Sequence, residues 1–167
     1  MMKLDMPFVH QASQVLCWEA CARMMWMWKH LKSPDERYSR VVDQYRKVNA
    51  GMDWNSLHNN IFVPLGMQGK MNAFASDLHR ELMLSPCTIT LPYIPSGAGG
   101  GLGSGSGHAV VILELDAASQ DYLVVDPMSK YLPGKVMCSA YAIREFVRTV
   151  DSKMGNYVWS WGSGPYC

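Results

Sequence analysis

Gln11-Ala12-Ser13-Gln14-Val15-Leu16-Cys17-Trp18 is the stretch on which the reading of this chain turns. It leads into a run, 14–31, where Cys17, Ala20, Cys21, Met24, Met25, Trp28 and Leu31 recur at the spacing of one helix face. So apolar a face predicts a buried helix with Cys17 in its first turn. The start of a helix offers unpaired N–H groups and positive potential, which favour a thiolate there. A cysteine on an apolar face is otherwise a small packed hydrophobe, so its meaning depends on what the rest of the chain brings to it.

Two later segments bring a base and a carboxylate. Gly107-His108-Ala109-Val110-Val111-Ile112 and Tyr122-Leu123-Val124-Val125-Asp126-Pro127 are rich in strand formers, with His108 opening one strand and Asp126 closing the other. Paired as a hairpin through a turn at 116–120, the two strands bring the His108 and Asp126 ends level. A thiolate that attacks a carbonyl needs a base and a group to orient that base, and Cys17, His108 and Asp126 would supply the three parts. Each has a plainer alternative: a packed cysteine, a capped histidine at a strand end, an ordinary Asp-Pro turn.

Around these segments the pattern predicts an α+β fold, helical in its first half and an antiparallel sheet in its second. Ser33-Pro34-Asp35-Glu36 reads as the start of a second helix, with Ser33 as N-cap, Pro34 at the first helical position and Glu36 at the third; it should end before Asn49-Ala50-Gly51. Short helices are expected over 53–64, capped by Asp53, and over 76–83. Thr88, Ile89, Thr90, Leu91 and Tyr93 read as a strand, 139–150 returns to helical spacing, and 156–161 alternates as a last strand. The glycine-rich segment 97–107 has only the composition of a phosphate cradle. It leads into a strand and not a helix, so a mobile flap beside His108 is expected instead. No repeat or second boundary is visible, and a single domain over 1–167 is the expectation.

Composition excludes several classes. With 167 residues, 49% hydrophobic and 17% charged, the chain has the apolar material for a core and is not a disordered tail. Fifteen basic against fourteen acidic residues leave +1, which argues against nucleic acid or an anionic membrane as partner. No apolar run approaches the roughly 20 residues of a spanning helix, so no membrane insertion is expected. The N-terminus lacks the layout of a secretory signal, so synthesis without a Sec signal and export by a specialised route is the expectation. Five cysteines are an odd number, which leaves at least one free thiol. Cys17 and Cys21 with His10 nearby have metal-ligand character, but no second Cys/His pair stands at ligand spacing, and neither a metal nor a cofactor is expected.

Taken together, 11–18, 107–112 and 122–127 resemble the papain-like cysteine peptidases, over residues 7–148. The His and Asp segments are similar to those of compact bacterial members, including secreted effectors of plant pathogens. The Cys-Gly-Ser-Cys-Trp run of other members is absent, and Asp126 stands where plant and lysosomal members carry Asn. The resemblance implies that the nucleophile helix packs on the sheet, that Cys17 attacks, that His108 moves the proton and that Asp126 orients it. It further implies that Gln11, with Gln14 as its rival, supplies an oxyanion donor beside the Cys17 N–H, and that Trp18 shields the His108–Asp126 contact. A protein or peptide substrate and a cognate inhibitor are the partners it suggests. A cell-wall peptide amidase and a glutamine deamidase or transamidase would use the same order of residues, although the former usually carry Asp-Cys-Ser where this chain has Leu-Cys-Trp.

Overall fold

The buried helix predicted around Cys17 is α1, Cys17–His30, in a computed structural model that describes residues 6–71, 75–91, 108–115, 122–128, 137–138 and 157–162. It ends where Leu31 turns into the left-handed region (φ 55°) and returns its N–H to the Met27 carbonyl. The second helix, α2, is Glu36–Arg46, two residues later than the Ser33 cap implied. The cap is Asp35, whose carboxylate accepts from the N–H groups of Arg37 and Tyr38. Ser33 stays outside the helix because Asp35, the stronger acceptor, takes the two free N–H groups and is itself held by Lys32 Nζ at 2.6 Å. Asp53 does cap α3, Trp54–Leu57, which continues into a π-helical turn, His58–Phe62. The helix predicted over 76–83 is α4, Ala75–Leu82. The expected helix at 139–150 and the glycine-rich segment 97–107 lie outside the described residues.

The strands are β1 (Gln68–Met71), β2 (Cys87–Leu91), β3 (His108–Leu115), β4 (Tyr122–Val125), β5 (Met137–Cys138) and β6 (Tyr157–Ser160). They form one sheet in the order β1-β6-β2-β3-β4-β5, and every neighbouring pair is antiparallel. The sheet is therefore not confined to the second half. Gln68-Gly69-Lys70-Met71 carries no strand signal and becomes β1 through pairing with β6, which lies between it and β2.

Side-chain alternation along β3 sorts the core into two layers. Ala109, Val111 and Leu113 pack in one cluster with Cys17, Cys21, Met24 and Met25 of α1, while Val110 and Ile112 join Leu78 and Leu82 of α4. β3 is thus buried on both faces, which fits its uninterrupted apolar run. Gly69 is needed where Trp159 lies directly across the sheet: a Cβ there would sit 2.6 Å from the Trp159 ring and from His58 Nδ1, two groups joined by a 3.1 Å hydrogen bond. Gly69→Ala is expected to destabilise the fold by about 1–3 kcal/mol, read as a lower midpoint in urea unfolding.

Candidate active site

Cys17 is the first residue of α1 and is 7% exposed. The turn that delivers it is closed by the Leu16 N–H on the Ser13 carbonyl at 3.2 Å, and α1 begins with the Ala20 N–H on Leu16 at 3.2 Å. Leu16 offers no side-chain cap, so the first N–H groups of α1, including that of Cys17, have no acceptor within the helix. The sulfur accepts a hydrogen bond from the Ala109 N–H at 3.5 Å. Ala109 is the second residue of β3, so the thiol is docked against the strand start, next to His108.

His108 is 1% exposed, and its Nε2 lies 2.8 Å from Asp126 Oδ1. The register explains this meeting. Val111 faces Val125, so one further step sets Asp126 beside Val110, diagonal to His108. Oδ1 also accepts the Met128 N–H at 2.8 Å, which fixes the carboxylate in a turn of its own. With Nε2 engaged, Nδ1 is left buried and without a hydrogen-bond partner among the described residues. Burial pulls the imidazole pKa down, but the hydrogen bond to Asp126, the nearby Cys17 sulfur and the charges of both outweigh it and raise His108 from 6.5 to about 9. The ring therefore holds its proton at neutral pH.

Gln11 is buried, whereas Gln14 is exposed. The Gln11 N–H bonds the Pro127 carbonyl at 3.0 Å, which ties the segment before Cys17 to the residue after Asp126. Its Nε2 donates to the Ser13 carbonyl at 2.7 Å, and its Oε1 is buried without a partner among the described residues. An amide nitrogen carries two donors, so one N–H remains for another acceptor. Trp18 is 2% exposed, and its indole N–H reaches the Ala50 carbonyl at 3.3 Å, on the connection between α2 and α3.

Three features here are not among the site residues that the sequence points to. One is the Ala109 N–H, a backbone group that no residue type announces. Another is Cys21, fully buried one turn along the same face. Burial, then the charges of Cys17, Asp126 and Glu19, push its thiol well above the ordinary value, so it stays protonated. The third is a buried carboxylate. Glu19 accepts from Arg23 Nε at 3.0 Å and from the Tyr38 hydroxyl at 3.1 Å, joining α1 to α2. Its i, i+4 relation to Arg23 was the available clue. Among the described residues, no His, Cys, Asp or Glu group is arranged to hold a metal ion, and no helix is long and apolar enough to cross a membrane.

An antiparallel sheet with a thiol at a helix start, held beside a histidine–carboxylate pair, is the equipment of a thiol peptidase. The family model described as "Papain-like cysteine protease AvrRpt2" matches residues 1–137, and the chain belongs to this family. It is accordingly a cysteine peptidase, a hydrolase with a protein substrate. The match contains Gln11, Cys17, His108 and Asp126 and stops before β6. No curated protein matches the chain.

The raised His108 pKa has a consequence for stability. A histidine whose folded pKa lies above its unfolded value stabilises fully below the unfolded pKa and loses that contribution as pH rises through the folded one. Between 6.5 and about 9 the contribution, on the order of 3 kcal/mol, should disappear. Urea unfolding across this range is expected to show a decline in the wild type that is much smaller in Asp126→Asn, where the charge that holds the proton is gone. Parallel curves would mean that His108 is neutral in the folded protein.

Proposed function

We propose that this peptidase works through a Cys17 thiolate, with His108 as acid and base, Asp126 as the group that orients and charges the imidazole, and Gln11 Nε2 with the Cys17 N–H as oxyanion donors. The observation that carries the reading is the double attachment at the start of β3: sulfur to the Ala109 N–H, imidazole Nε2 to Asp126. These two bonds leave Nδ1 as the nitrogen that serves the thiol.

Asp126 helps His108 to hold its proton, and when Cys17 reacts as its thiolate the imidazolium and the Ala109 N–H stabilise the charge on sulfur. Sγ attacks the substrate carbonyl carbon, and the oxygen takes up the negative charge that Gln11 and the Cys17 N–H receive. As the intermediate collapses, the C–N bond breaks and the Nδ1 proton passes to the departing amine, leaving a thioester on Cys17. A water then gives its proton to Nδ1 while its oxygen attacks the thioester. Release of the acid restores thiolate and imidazolium. Asp126 keeps its own charge throughout and makes the imidazolium favourable. Trp18 acts from its buried position at the head of α1 by keeping water from the His108–Asp126 contact.

Family membership supports a bacterial effector acting on a protein of the cell it enters, and we read residues 1–137 and β6 as parts of one domain. The substrate would be found by comparing new protein N-termini in cells that express the wild type or Cys17→Ala. Cys17→Ala is expected to lower turnover by at least about a thousandfold with an unchanged circular dichroism spectrum. Iodoacetamide should label Cys17 before Cys21 and the other thiols near neutral pH. First labelling at Cys138 or Cys167 of the folded protein, with Cys17 inert, would overturn the nucleophile assignment.

A further inference from the structure

Gln11 does not set the direction of its own amide. One Nε2 hydrogen is held at 2.7 Å by the Ser13 carbonyl, so the remaining N–H points wherever that carbonyl dictates. The Ser13 carbonyl also receives the Leu16 N–H at 3.2 Å, while the Ser13 hydroxyl leaves the segment and donates to Asn49 Oδ1 at 2.6 Å, 36 residues away. Asn49 is placed for this bond by its backbone. It sits just past α2 with φ 52°, its N–H on the Arg46 carbonyl at 3.0 Å. That left-handed conformation is rare for residues other than glycine, and asparagine is among those that tolerate it best. The next residue grips the same helix start, since the Ala50 carbonyl accepts the Trp18 indole N–H at 3.3 Å. On the far side, the Gln11 N–H is fixed by the Pro127 carbonyl at 3.0 Å. Gln11 is thus suspended between the end of β4 and the end of α2.

We infer that Asn49 is a positioning residue for the reaction, acting through Ser13 on the Gln11 amide. The inference rests on the reading of Gln11 as an oxyanion donor. Asn49 touches no reacting atom. It sets the Ser13 turn, and the turn sets the amide. Because the Ser13–Asn49 bond lies near the surface, where water competes, its effect should be that of one modest hydrogen bond, roughly three- to tenfold in rate.

Asn49→Gly is the informative variant, because glycine accepts the left-handed backbone without strain and removes only the side-chain acceptor. Asn49→Asp keeps an acceptor and serves as the rescue. Two readouts are needed. Exchange of the Gln11 side-chain amide protons, followed by NMR in nitrogen-15-labelled protein, reports the positioning without any substrate. Turnover of an internally quenched peptide, chosen from a positional-scanning library by wild-type cleavage, reports the chemistry. Asn49→Gly should speed the exchange and lower kcat, each roughly three- to tenfold, with KM unchanged. Alkylation of Cys17 by iodoacetamide should keep its wild-type rate, since substitution at a saturated carbon builds no oxyanion. Asn49→Asp should restore both quantities. Ser13→Ala should match Asn49→Gly, with the double variant no worse than either alone. If Gln11→Ala lowers kcat while Asn49→Gly leaves exchange and kcat at wild-type values, Asn49 plays no such part. If Gln11→Ala itself leaves kcat intact, the oxyanion reading is at fault, and the role of Asn49 falls with it.

Discussion

A single backbone N–H, that of Ala109, holds a sulfur atom from a residue 92 positions earlier. The site depends on that contact, because it brings the first residue of α1 to the first turn of β3, where His108 stands. The contact is weak, as sulfur is a poor acceptor, and the geometry is secured by what surrounds it. α1 and β3 share an apolar cluster that includes Cys21, Met24, Met25, Val111 and Leu113, and burying such side chains contributes about 1.5–3 kcal/mol each. Packing supplies the stability and the hydrogen bond supplies the alignment.

A second constraint works on charge. His108 is almost wholly removed from water, an environment that ordinarily strips the proton from an imidazole. Asp126 reverses that preference by direct hydrogen bonding, and the Met128 N–H holds Asp126 in place. In Cys21, equally buried, burial and the neighbouring negative charges act together and also raise the pKa, which for a thiol means that it stays neutral. Of these two thiols one helical turn apart, Cys17 is the one that accepts the Ala109 N–H, next to His108.

Much of this was legible in the sequence. The helix of Cys17, the strands of His108 and Asp126, and the antiparallel pairing between them follow from apolar spacing and strand-forming residues, and the observed α1, β3 and β4 agree with them. What escaped was whatever depends on distant partners. β1 is Gln-Gly-Lys-Met, with nothing to mark a strand until β6 pairs with it. The start of α2 differs from the expectation because Ser33 and Asp35 are both good caps, and only the folded chain shows that the Asp35 carboxylate takes the free N–H groups of Arg37 and Tyr38. At the site, side chains could be anticipated, whereas the carbonyls of Ser13 and Pro127 and the N–H of Ala109 could not. Every residue carries such groups, and only tertiary structure selects the ones that matter.

The position of β6 also bears on how the molecule is made. This strand pairs with β1 on one side and β2 on the other, although it is the last of them to be synthesised. Until residue 160 has emerged, β1 has no neighbour and β2 has an open edge, the kind of edge that invites pairing with other chains. Such pairing between distant segments forms slowly. A chain emerging from a ribosome would carry Cys17 ahead of a sheet that cannot yet close. Completion of the sheet is thereby tied to arrival of β6, and a partly translated chain is a vulnerable one.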